Sequence, residues 1–170
     1  MPLQTMKTDT PQTVYLKDYT PPAFLVDTVD LDFVIETGGT TVTATLAMRR
    51  NPAVVAQPLV LDGDELETLL VAVDGQKVPF LVTENTLTIT DVPDAFTLQT
   101  VVRIQPDKNT RLSGLYRSKD GYFTQCEAQG FRRITWFLDR PDVMSTYTVT
   151  LHADKEALPV LLANGNPVAQ

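Results

Sequence analysis

The sequence predicts an all-β chain, an antiparallel β-sandwich. Apolar residues recur at every second position, the runs are short, and glycine, proline or aspartate turn chemistry closes each one. The first 22 residues carry Pro2, Pro11, Pro21 and Pro22 and several threonines. They read as an extended lead-in, because proline removes a backbone donor and keeps the residue before it out of helix. Val29, Leu31, Phe33 and Ile35 then alternate with Thr28, Asp30, Asp32 and Val34, and Val42, Ala44, Leu46 and Met48 alternate with Thr41, Thr43 and Thr45. Gly38-Gly39 between them makes the pair a hairpin, with the Thr and Asp rows on its solvent side. The pattern repeats over residues 69–73, a turn at Asp74-Gly75, then 78–82, 87–89 and 96–104, with Asp91-Val92-Pro93 as punctuation. Residues 64–70 alone offer a helical turn. A second hairpin is expected from 115–118 and 122–127 around Lys119-Asp120-Gly121. A short turn over 143–147 follows Pro141, Tyr147, Val149, Leu151 and Ala153 resume alternation, and 161–167 reads as a strand entering an Asn-Gly turn. The expected organisation is a lead-in over 1–22 and one β-sandwich domain over 23–170.

Composition narrows the function classes. At 170 residues, 43% apolar and 21% charged, the chain suits a single globular domain that buries about 70% of its unfolded surface. A formal charge of −7 opposes a phosphate backbone, so nucleic acid is not an expected partner. No apolar run approaches the roughly 18 to 20 residues that span a bilayer, and the opening residues lack a signal-peptide core, so no membrane partner is expected. The single cysteine, Cys126, and the lack of any Asn-x-Ser/Thr acceptor agree with a cytoplasmic setting.

The most informative stretch is 121–143, GYFTQCEAQGFRRITWFLDRPDV. Gln125 and Glu127 lie two residues apart in an expected strand, which places them on one face roughly 7 Å apart. A carboxylate and an amide oxygen aimed at one spot suit an ammonium, although exposed polar pairs of this spacing are common on sheets. Gln125-Cys126-Glu127, then Gly130-Phe131-Arg132, then Leu138-Asp139-Arg140-Pro141-Asp142 resembles the bacterial aminopeptidase N family of zinc gluzincins. The resemblance extends across most of the chain, though 40–110 shares little beyond strand pattern. It implies the saddle-like amino-terminal β domain of a larger enzyme, with Gln125 and Glu127 as substrate-binding residues that hold the α-amine of a peptide amino terminus.

The resemblance also implies zinc in the full-length enzyme and a catalytic domain beyond Gln170 as this domain's partner. The chain itself lacks the H-E-x-x-H pair of a zinc peptidase and the family's Gly-Ala-Met-Glu-Asn signature, so no catalytic residue and no metal are expected in this segment. Its one histidine, His152, lies in an alternating strand and reads as a hydrogen-bonded surface residue. Cys126 points away from Gln125 and Glu127 in the strand reading and serves as a small core hydrophobe. Of Arg132 and Arg133, one is expected to pair with Asp139 as support for the motif loop, in preference to an anion site. Asp139 and Asp142 flank Pro141 in a turn role, and Trp136-Phe137-Leu138 reads as core. The alternative is a freestanding β-sandwich that binds a peptide or sugar or serves as an interaction module.

Overall fold

A computed structural model describes residues 15–168. Residues 1–14 of the expected lead-in lie outside the described residues, and 15–22 run extended apart from a single 3-10 turn at Leu16–Asp18. Among the described residues there are eleven strands. They are β1 (Phe24–Glu36), β2 (Gly39–Arg50), β3 (Leu59–Asp62), β4 (Glu67–Val73), β5 (Gln76–Lys77), β6 (Leu81–Val82), β7 (Thr86–Ile89), β8 (Ala95–Ile104), β9 (Gly114–Ser118), β10 (Gly121–Gln125) and β11 (Thr146–Ala153). No helix among them is long and apolar enough to cross a membrane.

Six strands form one sheet in the order β11-β1-β2-β8-β4-β5, three form a second in the order β3-β7-β6, and β9 and β10 form a hairpin. The β1–β2 hairpin pairs from Phe24↔Arg50 to Glu36↔Gly39, with one register shift between Val26 and Thr28. Gly38 at φ +88° supplies the left-handed turn residue that glycine adopts without penalty. The alternation seen in the sequence is also the alternation of burial. Val29, Leu31 and Phe33 of β1, Val42, Ala44, Leu46 and Met48 of β2, and Phe96, Leu98, Val102 and Ile104 of β8 all point inward. Leu59, Leu61, Leu87 and Ile89 of the smaller sheet and Trp136, Phe137 and Leu138 of the motif segment join the same core cluster. Burying each such side chain contributes roughly 1.5 to 3 kcal/mol, so two sheets and one irregular segment cohere as a sandwich.

Several local expectations are corrected. Residues 64–70 form no helical turn: Glu65 takes φ 57° and the chain enters β4, where Glu67↔Arg103 opens a ladder with β8. Of the single strand expected over 78–82 only Leu81–Val82 is strand, and the separate strand β5 ends before it at Lys77. β5 pairs with β4 and β6 with β7, and Pro79 between them cannot donate to a ladder. The turn after Pro141 occupies Pro141 and Asp142, not 143–147, and β11 begins at Thr146. Residues 161–167 form no strand, and Leu161 and Leu162 are exposed. One pairing is parallel, β1 with β11 from Thr28↔Thr146 to Ile35↔Ala153. A parallel neighbour requires a crossover, and the long excursion through the other strands and the motif supplies it. Finally, β10 ends at Gln125, so Glu127 lies past the ladder and not within it.

Candidate functional site

β10 delivers Gln125 to the end of the β9–β10 hairpin, opposite Gly114. A turn then carries the chain from Cys126 to Gly130, closed by the Gly130 amide donating to the Cys126 carbonyl at 2.7 Å, and the Glu127–Ala128 peptide bond within it is cis. That turn brings Glu127 back over Gln125. The Gln125 Nε2 donates to Glu127 Oε2 at 2.7 Å, with both residues exposed. A carboxylate only accepts, so the amide nitrogen faces it and the amide oxygen is left for another donor. The two side chains meet as the strand reading expected, but a turn brings them together and not strand periodicity.

The turn rests on a fixed base. Arg132 Nε donates to Asp139 Oδ2 at 2.8 Å, its backbone N–H donates to the same oxygen at 3.2 Å, and its Nη2 donates to the Asp139 carbonyl at 3.1 Å. Asp62 at the end of β3 accepts the Asp139 amide at 3.1 Å and exchanges backbone hydrogen bonds with Phe137 at 2.8 and 3.1 Å. Arg133 is buried and divides its guanidinium between Asp64 and Glu65. Trp136 donates Nε1 to Thr68 Oγ1 at 2.8 Å. Phe131 packs edge-on against Phe137 with ring centroids 4.9 Å apart. Both arginines are therefore structural: Arg132 is the one of the two that pairs with Asp139, and the partners of Arg133, Asp64 and Glu65, were not anticipated.

The remaining candidates fall into supporting roles. Asp142 accepts from Arg140 at 2.7 Å and from the Tyr19 hydroxyl at 3.0 Å. The Arg140 hydrogen bond holds its carboxyl below the ordinary aspartate range. Cys126 is half-buried against the core, and burial, with the Asp139 and Glu127 carboxylates adding, pushes its thiol up to about 11. It is neutral at physiological pH and no nucleophile. His152 is exposed and bonds Asp32 at 3.1 Å. Among the described residues, no three His, Cys, Asp or Glu side chains converge as a metal ion requires. These residues do not fit a metal; they can bind and orient.

Two glycines carry the geometry: Gly130, which entered the sequence reading only as part of the motif, and Gly114, which did not enter it. Gly114 takes φ +72°, and a Cβ there would sit 2.6 Å from Cβ of Arg133. Their signal was a glycine inside the motif and another at the start of β9. Gln125 and Glu127 line neither of two clefts, of about 490 and 220 Å3. The first lies between the ends of β1 and β11 and the β9–β10 hairpin, the second beside Arg133. The pair stands on open surface.

Residues 27–170 match the family described as the peptidase M1 N-terminal domain. The chain belongs to that family. It is 47% identical over 167 residues to aminopeptidase N of Caulobacter vibrioides and 42% identical over 164 residues to aminopeptidase N of Escherichia coli, in each case across 96% of this chain and 19% of the relative. Aminopeptidase A of Legionella pneumophila, solved in complex with aspartic acid, superposes with a TM-score of 0.82 at 30% identity, over 88% of this chain and 18% of that one. The chain thus spans about a fifth of the length of the curated relatives it matches.

Proposed function

We propose that this chain is the amine-anchoring amino-terminal domain of a cytoplasmic, zinc-dependent aminopeptidase that removes amino-terminal residues from peptides. The observation that carries the reading is the 2.7 Å contact of Gln125 with an exposed Glu127 that has no cation of its own. Among the described residues, every ion pair uses another carboxylate.

A protonated α-amine offers three donors. Glu127 and the amide oxygen of Gln125 accept two of them, each charge-assisted bond contributing roughly 1.5 to 3 kcal/mol. Fixing the amine fixes the first peptide bond at a set distance from the anchor, which is positioning catalysis. The zinc implied by the motif belongs to the full-length enzyme's catalytic domain, whose surface would complete the site over this pair.

The test is Glu127→Ala in the full-length enzyme. Truncating one side of a charge pair costs about 2 to 5 kcal/mol, or about 30- to 4,000-fold in kcat/KM on free-amine substrates. Retained metal content and near-normal kinetics would refute the reading.

A further inference from the structure

We infer that Gly130 is a positioning residue for the amine anchor: the space left by its missing side chain sets the path of Gln125 and Cys126, and hence the meeting point of the Gln125 amide and the Glu127 carboxylate. The inference rests on the functional reading above. Gly130 is buried at φ −97°, ψ −12°, a right-handed conformation open to any residue. Conformation therefore does not demand glycine here. Space does. A Cβ at 130 would lie 2.7 Å from the Gln125 carbonyl oxygen, 2.8 Å from Ser113 Oγ and 2.9 Å from Cys126 Cα. Two of these three neighbours are main-chain atoms of the site itself.

The position of Gly130 is held from the other side. Its carbonyl accepts the Arg133 amide at 3.1 Å. The Arg133 side chain is clamped by Asp64 and Glu65, and that of Arg132 by Asp139. Gln125 ends a two-stranded hairpin, 126 and 127 follow it, and all three are exposed or half-buried. Ser113 can rotate its hydroxyl aside, but the carbonyl of Gln125 cannot rotate without moving its own strand end. A methyl at 130 is therefore expected to displace the anchor pair by a few tenths of an ångström while the base stays in place. The closing hydrogen bond to Cys126 survives, because alanine keeps its backbone N–H.

The experiment uses the full-length enzyme carrying this domain. Inhibition is measured with leucine hydroxamate and with 4-methylpentanohydroxamate, which differ only in the α-amine. The ratio of the two inhibition constants reads the anchor alone. Misplacement by 1 Å can cost about 100-fold, so Gly130→Ala is expected to shrink the ratio about 10-fold, with the constant for the amine-free compound unchanged. Gly121→Ala, at the other end of β10, meets only the Phe123 ring at 3.1 Å and is expected to keep the wild-type ratio. Parallel weakening of both compounds by Gly130→Ala, or an unchanged ratio, overturns the proposal.

If Gly130→Ala does not fold, the Ser113→Ala, Gly130→Ala double variant removes one of the three contacts and is read the same way. Loss of folded protein in both assigns Gly130 to domain stability alone and also overturns it. Glu127→Ala separates the two levels. An intact ratio in that variant defeats the functional reading, whereas a collapsed ratio there with an intact one in Gly130→Ala defeats only this inference.

Discussion

Replacing Asp139 by alanine removes the carboxylate that accepts both the Arg132 guanidinium at 2.8 Å and the Arg132 backbone N–H at 3.2 Å. The pair is largely shielded, with side chains 23% and 10% exposed for Arg132 and Asp139. A charge-assisted hydrogen bond contributes roughly 1.5 to 3 kcal/mol, and the N–H left without a partner costs roughly 1 to 3 more. Two contacts survive the change, Arg132 Nη2 to the main-chain carbonyl of residue 139 at 3.1 Å and the more distant Asp62 at 3.8 Å. They keep the guanidinium partly compensated and place the expected loss at about 2 to 4 kcal/mol. In a domain of this size that lowers Tm by about 5 to 15 °C. Urea denaturation should show a lower midpoint at unchanged m, the mark of a weakened native state. Asp139→Asn, which keeps the shape and one acceptor oxygen, should lose less. A loss below about 0.5 kcal/mol for Asp139→Ala, the scale of an ordinary surface change, would refute the claim that this pair supports the motif.

Gly63→Ala would place a Cβ 2.1 Å from Cζ3 of Trp136, a buried ring tethered to Thr68. It is expected to cost about 1 to 3 kcal/mol or more by overpacking and to shift the fluorescence of the chain's single tryptophan, so unchanged emission and midpoint would show a ring free to move. Cys126, raised from an ordinary 9.0 to about 11 mainly by burial, should react slowly with iodoacetamide near pH 7.5, and rapid alkylation of folded protein would contradict its packing. The same shift has a linkage sign: the native state keeps its thiol proton where the unfolded state has lost it, so this contribution is complete below about pH 9 and declines as pH rises through about 11. Chemical denaturation across that window checks it against Cys126→Ala, whose curve should lack the decline.

The β1–β2 hairpin was legible because its two faces are chemically distinct and glycine marks the turn, so periodicity, register and reversal agree. Periodicity says nothing about which strand lies alongside or in which direction. For that reason β11 could be anticipated as a strand from Tyr147, Val149 and Leu151, while its parallel partnership with β1 could not. Pro79 lies in the front of the 78–82 run, whose apolar residues alone suggested one strand and of which only Leu81–Val82 is strand. At the site, strand spacing pointed to Gln125 and Glu127, but Glu127 lies outside β10 and returns by the turn that Gly130 closes. Close approach of main chain to main chain leaves no hydrophobic pattern. A glycine is its only trace, and glycines occur for many reasons.

Charge placement is what makes the proposed cation site compatible with two adjacent arginines. The motif segment carries Arg132, Arg133 and Arg140, which in isolation would favour an anion. Each is committed: Arg132 to Asp139, Arg133 to Asp64 and Glu65, and Arg140 to Asp142. Of the three carboxylates in the same segment, Asp139 and Asp142 are committed in turn, which leaves Glu127 as the one without a positive partner among the described residues. Its neighbour Gln125 is neutral and polarises one carboxylate oxygen without cancelling the charge. A lysine or arginine in reach would have neutralised the site in advance, and any ammonium arriving there would have had to displace it. The ion pairs beneath the turn therefore do two things: they hold the loop to β3, and they keep the segment's own cations away from the carboxylate that a substrate amine would need.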